Sequence, residues 1–381
     1  MFKIYLDKLN KNKPLVLLAS LAFLLFACED DDPETTSPMG GEVTGGEVTG
    51  GEVMGGEDMG GDDLACTPLP EDYPSPSWEM CISDEGRYEL AGEGTPSSAA
   101  RIAAFETIGD LLWRVASPDA EAFTQAEFIY GEDGGLGSRV TRRYDAHVNK
   151  PEGADCSLDN AAEQWPDYCV GPAKIEPLIL NAFAAGIRGE NPVANAARVK
   201  AGGLWFSYLS VYKEAYTCAG KAADCDSHWA YCNGAKQLDE MPLGLGAAIK
   251  GASESAYEAL FNAHLAVRCW RDLDNAEVAE NEELRAQALD QLDRALDRGY
   301  AVYLASLLEA LSLDAANVAL RVEISVLGPT LFRAANAADP SLVQRDWDEF
   351  WTEIGNLDVE LSPLAIGIVA EAMRRVTPCP Q

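Results

Sequence analysis

The chain has 381 residues, with 62 acidic against 29 basic side chains and a formal net charge of −33. A field of that sign repels nucleic acid and anionic headgroups, which excludes both as electrostatic partners. It suits cationic ligands or metal ions, and equally a high-salt habitat in which the repulsion is screened.

Residues 1–13 carry Lys3, Lys8, Lys11 and Lys13 against one acid, Asp7, and Pro14 leads into an uncharged run over 15–27. A spanning helix needs about 20 apolar residues, so this run reads as the core of a cleaved export signal. The run closes on Leu24-Leu25-Phe26-Ala27-Cys28. That ending resembles the lipobox of bacterial lipoprotein signals, with Leu25 three before the cysteine, Ala27 one before, and Phe26 where a small residue is usual. The resemblance covers residues 1–28 and implies a signal peptide over 1–27, cleavage before Cys28 and diacylation (palmitate-type) of that cysteine. Two acyl chains hold a protein stably on a membrane where one does not. Glu29-Asp30-Asp31-Asp32 resembles the acidic surface-export tags of some Gram-negative lineages. The expected location is the bacterial envelope, lipid-anchored to the outer membrane and facing the periplasm or the exterior.

Residues 28–63 read as a disordered acidic tether. From Met39 a five-residue unit repeats, Met-Gly-Gly-Glu-Val and its variants, ending at Asp63. Paired glycines are entropically costly to order and the repeated acid adds self-repulsion. Such a chain spans about 30–36 Å r.m.s. and about 120 Å when stretched. Removing a signal with four lysines and one aspartate takes the charge from −33 to −36, and the twelve acids from Glu29 to Asp63 leave −24 on the rest.

Residues 64–95 are rich in proline, glycine and acids and read as an extended, disulfide-stapled lead-in to a helical domain over 96–381. Of the chain's ten cysteines, nine remain beside Cys28. In an exported protein these are read as disulfides. Proximity pairs Cys66 with Cys81 and Cys156 with Cys169. Cys218, Cys225, Cys232 and Cys269 are expected to pair among themselves, which leaves Cys379 over.

Helical spacing starts with Ile102, Phe105, Ile108, Leu112 and Val115 after Pro96. A second helix starts at Ser117-Pro118-Asp119, with proline in its first turn. After a glycine-rich loop and the basic stretch Arg139–Tyr144, residues 150–172 form a cysteine-bracketed loop with one helical turn. Helices are then predicted over 175–187 and 193–216. On the second, Trp205, Tyr208, Leu209, Tyr212 and Tyr216 share one face. Further helices are predicted over 253–271 and 282–311, the latter with Leu289, Leu292, Leu296, Gly299 and Tyr303 on one face and an Asp290–Arg294 pair on another. One over 317–327 ends at Gly328-Pro329. Trp347, Phe350, Trp351 and Ile354 mark another, and Ile366, Val369, Met373 and Val376 the last. Strand-like alternation is scarcely present. The fold class is all-α, with about nine to eleven helices in an antiparallel bundle-like array and disulfide-stapled loops.

Chemistry-bearing residues are few. Cys218, Cys225, His228 and Cys232 have metal-compatible chemistry but match no strong zinc spacing, and a disulfide-stapled surface loop is the expected state. Arg139, Arg142 and Arg143 form a basic island suited to carboxylates or phosphates, or to internal ion pairing with the surplus acids. Trp205, Tyr208 and Tyr212 are candidates for stacking on a ligand, against ordinary core packing. His264 reads as a hydrogen-bonded core histidine. The di-iron, zinc-protease, serine-hydrolase and phosphate-loop motifs are all absent.

No metal and no cofactor is assigned, and an enzymatic role finds no motif. The leading expectation is a membrane-anchored extracytoplasmic lipoprotein whose helical domain binds or scaffolds an unknown protein or small molecule. A general likeness to imelysin-like metal-acquisition lipoproteins rests on helix content and compartment alone. Their Gly-x-His-x-x-Glu motif is missing, so no residue carries over. A cell-wall or glycan hydrolase working with two carboxylates is the third expectation.

Overall fold

Helical periodicity becomes helix almost throughout the computed structural model, which describes residues 86–272 and 276–375. The export signal, Cys28, the tether, most of the lead-in with Cys66 and Cys81, and Cys379 lie outside the described residues. Among the described residues there is no strand, and twelve α-helices have seven residues or more. The first six are α1 (Ser97–Leu111), α2 (Ala120–Gly131), α3 (Glu176–Ile187), α4 (Pro192–Thr217), α5 (Ala222–Asn233) and α6 (Gly244–Ala252). Then come α7 (Glu254–Trp270), α8 (Glu282–Leu313), α9 (Val318–Leu327), α10 (Phe332–Ala338), α11 (Gln344–Gly355) and α12 (Pro363–Arg374). None of them is long and apolar enough to cross a membrane.

Side-chain caps set several starts. The Asp119 carboxylate accepts the Ala122 N–H at 2.8 Å, so α2 begins after Pro118 rather than on it. Ser253, Asn281, Asn317 and Ser362 cap α7, α8, α9 and α12 in the same way, satisfying amides that lack a partner in the first turn. α1 stops at Leu111, four residues short of Val115, which is exposed beyond it. Neither α1 nor α5 has a side-chain cap.

Two long helices organise the packing. The 26-residue α4 lies against α3, α5 and α9, and the 32-residue α8 lies against α7 and α12. One buried apolar cluster runs from Ile102 to Met373 and takes residues from all twelve helices except the outer faces they leave to solvent. The predicted stripe on α8 is buried at Leu289, Leu292, Leu296, Gly299 and Tyr303. On α11, Trp347, Phe350, Trp351 and Ile354 bury one face, and the Trp347 indole donates to the Gly328 carbonyl at 3.1 Å. Burying each such side chain stabilises by about 1.5–3 kcal/mol.

The expected surface loop around Cys225 and Cys232 is instead a buried helix. Cys225, His228, Trp229 and Cys232 fall at helical spacing on α5 and are all buried. α5 packs against α1, α4, α6 and α7, with His228 facing His264 of α7 and Trp229 stacked on Tyr88. Gly234 ends the helix in the left-handed region, at φ 76°, where a side chain is strained.

Cys156 and Cys169 form the predicted disulfide, with Cα atoms 5.3 Å apart. The four-cysteine expectation holds for Cys218 and Cys225 and is corrected for Cys232 and Cys269. Cys218 pairs with Cys225 and Cys232 is a buried free thiol. Cys269 is disulfide-bonded, but to none of Cys218, Cys225 and Cys232. Cys232 is fully buried on α5.

Candidate functional site

A cleft of about 380 Å³ opens where the last turns of α4, the first turns of α5 and residues 92–97 meet. Asp226 on α5 holds its outer strap in place by accepting the Ala91 and Gly92 N–H groups, each at 2.8 Å. Burial raises the Asp226 pKa, and those two hydrogen bonds only partly oppose it. Glu214, near the end of α4, accepts Arg143 Nη1 at 2.8 Å and Lys213 Nζ at 2.9 Å. Burial pushes its pKa up, but the two cations outweigh burial and hold it below the usual carboxylate range. Asp224 accepts the Thr217 hydroxyl at 2.7 Å and pairs with Lys221 at 3.2 Å.

The basic island is divided among three environments. Gly171 donates its N–H to the Arg143 carbonyl at 2.8 Å, and a Cβ there would collide with the Val140 carbonyl and the Arg143 backbone. This contact clamps the Val140–Arg143 turn against the start of the Gly171–Ile175 turn and directs the arginines differently. Arg143 points inward, paired with Glu214 and stacked 5.1 Å from the Phe206 ring and 5.4 Å from Tyr231. It is an internal ion pair, which removes it from the ligand candidates. Arg142 is exposed. Arg139 lines the cleft, and its guanidinium has no hydrogen bond or ion pair among the described residues, with Nε sealed from solvent. Tyr231 lines the same cleft, is 3% exposed, and its hydroxyl likewise has no partner among them.

The aromatic face of α4 grades from core to surface. Tyr208 is buried and donates its hydroxyl to Asp297 at 2.5 Å, so it is a packing residue and not a stacking platform. Trp205 is half-buried. Tyr212 stacks on the His147 ring, centroids 3.9 Å apart, and Tyr216 is exposed.

Beneath Tyr212 lies a charge network that no local motif announces. His147 bonds Asp145 through Nδ1 and Asp293 through Nε2, both at 2.9 Å. Arg333 bridges Asp293 at 2.7 Å and Asp297 at 2.8 Å. Burial drives the His147 pKa down, but the two carboxylates more than reverse it and raise it overall. For Asp145 and Asp293 burial acts upward, yet His147 and Arg333 hold both below the usual range. Asp297 differs: burial takes it up to about 6 despite Arg333. Both imidazole nitrogens are occupied and Arg333 supplies the counter-charge, so the cluster is an ion-pair network and not a vacant metal site. Among the described residues no group of three or more His, Cys, Asp or Glu side chains is arranged to hold a metal.

The zinc-like string is dispersed by the Cys218–Cys225 disulfide and by burial of Cys232, whose thiol pKa is pushed up by desolvation. His228 faces His264 across α5 and α7, with ring centroids 4.8 Å apart. Among the described residues neither ring makes a well-formed hydrogen bond, so His264 is the expected core histidine but without the expected hydrogen bond. Burial takes His228 down to about 3, only partly offset by the nearby Cys225 and His264 carbonyls. His264 is driven well below its ordinary value by burial and then by His228. Both rings are neutral at physiological pH.

No family model, curated protein or solved structure matches this chain.

Proposed function

We propose that the chain is a lipid-anchored protein of the bacterial cell envelope, held through Cys28, whose helical domain binds a ligand in the cleft between α4, α5 and residues 92–97. The observation that carries this reading is a small-molecule-sized cleft containing the Arg139 guanidinium, which has no partner among the described residues. The lipobox-like Leu25-Phe26-Ala27-Cys28 supports the anchor, and the Cys156–Cys169 and Cys218–Cys225 disulfides suit an oxidising compartment. Binding is preferred to hydrolysis because three of the cleft's carboxylates are already engaged: Glu214 by Arg143 and Lys213, Asp224 by Lys221, and Asp226 by backbone amides. A general acid and base need a titratable pair free to exchange protons with substrate.

The anchor is tested by expressing the full chain in a Gram-negative host fed labelled palmitate. The wild type incorporates label and stays with the outer-membrane fraction after a high-salt wash, whereas Cys28→Ser does neither. A Cys28→Ser chain that remains membrane-bound through the wash refutes the anchor. One equivalent of tightly held metal in the purified wild type would overturn the ligand-binding reading in favour of metal acquisition.

A further inference from the structure

We infer that the cleft is a receptor site for a small zwitterion, of amino-acid or short-peptide type, whose carboxylate is held between Arg139 and Tyr231. This rests on the ligand-binding reading above and names its ligand class. In a chain with 62 acids against 29 bases, a partly buried arginine with no carboxylate partner among the described residues runs against the charge balance. Its planar fork is matched by a carboxylate, and leaving its buried Nε unpaired carries a desolvation cost that such a ligand removes. Tyr231 adds an independent sign: its side chain is 3% exposed, lines the same cleft, and leaves its hydroxyl unpartnered among the described residues.

The surroundings point the same way. α1 starts at Ser97 and α5 at Ala222, both without a side-chain cap, and Ser97 and Ala223 line the cleft. Two helix N-termini therefore present partial positive charge to it. Among the described residues Arg101, one turn into α1, bonds only neutral oxygens, those of Ser97 and the Asp133 carbonyl, so no carboxylate among them cancels its charge.

A net anion is disfavoured. The chain's −33 field opposes it, and Glu93, Asp224 and Asp226 stand on the same walls. Glu93 is exposed on the rim with no ion pair among the described residues, which provides a seat for an ammonium group. A molecule carrying both charges satisfies Arg139 and Glu93 together and crosses the acidic field without net repulsion. The volume of about 380 Å³ sits at the small end of ligand sites.

The test is calorimetric titration of the detergent-solubilised full chain with L-glutamine, L-alanyl-L-alanine, acetate, inorganic phosphate and methylammonium. At least one of the two zwitterions is expected to bind saturably and about tenfold or more tighter than the three single-charge probes, since each half forfeits one charged contact. Arg139→Gln weakens that binding about tenfold or more, Arg139→Lys restores part of it, and Tyr231→Phe weakens it several-fold. Arg142→Gln, at an exposed arginine outside the cleft lining, leaves it unchanged, and thermal melts establish that each variant is folded. The inference is overturned if neither zwitterion binds, if acetate or phosphate binds as tightly, or if folded Arg139→Gln binds like the wild type. Arg139-dependent binding of phosphate or acetate alone removes the zwitterion but leaves a ligand-binding cleft. A chain that binds no probe and is not thermally stabilised by a small-molecule envelope extract removes both.

Discussion

His147 lies between Asp145 and Asp293, bonded through both ring nitrogens at 2.9 Å, while His228 and His264 face one another 4.8 Å apart with no well-formed hydrogen bond among the described residues. All three rings are largely withdrawn from solvent, yet His147 is pushed toward its charged form and the pair toward the neutral one. Burial acts downward on each, so the partners decide the outcome. Among these three rings the charged form is favoured only where carboxylates are packed beside the imidazole.

The strongest way to break the comparison is acid. His228 and His264 have folded pKa values below the unfolded value, so the unfolded chain takes up more protons and stability is lost as pH falls below about 6.5. At about 1.4 kcal/mol per pH unit for each ring, going from pH 7 to pH 5 costs on the order of 4 kcal/mol. Urea unfolding at both values measures it. A His228→Leu/His264→Leu chain should lose most of that slope; an unchanged slope would assign the acid sensitivity to other groups.

Next in size is the Arg143–Glu214 pair, which asks whether partners govern buried charge elsewhere in the fold. Arg143→Met leaves Glu214 with only Lys213 and should cost about 3 kcal/mol, read as a lower denaturation midpoint. Adding Glu214→Gln should recover part of the loss. If the single variant is as stable as the wild type, Lys213 alone suffices and the rule is weaker than stated.

The smallest effect sharpens the His147 side. Its folded pKa is raised, so its contribution is complete below about 6.5 and fades as pH rises through the folded value. Asp297, raised to about 6, acts in the same direction, losing its contribution as pH climbs from about 4 toward 6. Asp145 and Asp293 are depressed, so theirs is present above about 4 and disappears in acid. The network is therefore tightest in mildly acidic solution, where the His228–His264 pair is already losing ground. His147→Gln should cost about 1–2 kcal/mol near pH 6 and clearly less at pH 9. Equal losses in thermal melts at the two pH values would mean that the ring is not held as an imidazolium.

Much of the helical framework was legible because it depends on near neighbours. Leu289, Leu292, Leu296, Gly299 and Tyr303 declare the buried face of α8, and Trp347, Phe350, Trp351 and Ile354 that of α11. α5 was missed for a chemical reason. Its buried face is built from Cys225, His228, Trp229 and Cys232, residue types that read as staples or ligands before they read as core. Of the site, Arg139 was legible as a residue type, but its separation from Arg143 was not. Which arginine meets Glu214 is set by a clamp between Gly171 and the Val140–Arg143 turn. Tyr231 carried no signal, since a tyrosine in a helix is ordinarily core.

By itself the sequence determined an all-α fold, its acidic balance and the Cys156–Cys169 pairing, because each depends on contacts or composition within a short span. Only the tertiary structure decided that Cys232 is free, that Arg143 is spent on Glu214 while Arg139 faces a cleft, and that Asp145 and Asp293 enclose His147. Charges and thiols pair with whatever packing brings within a few ångströms. That proximity arises where α4 and α8 lay distant stretches of chain side by side, through a core whose residues show only which faces turn inward.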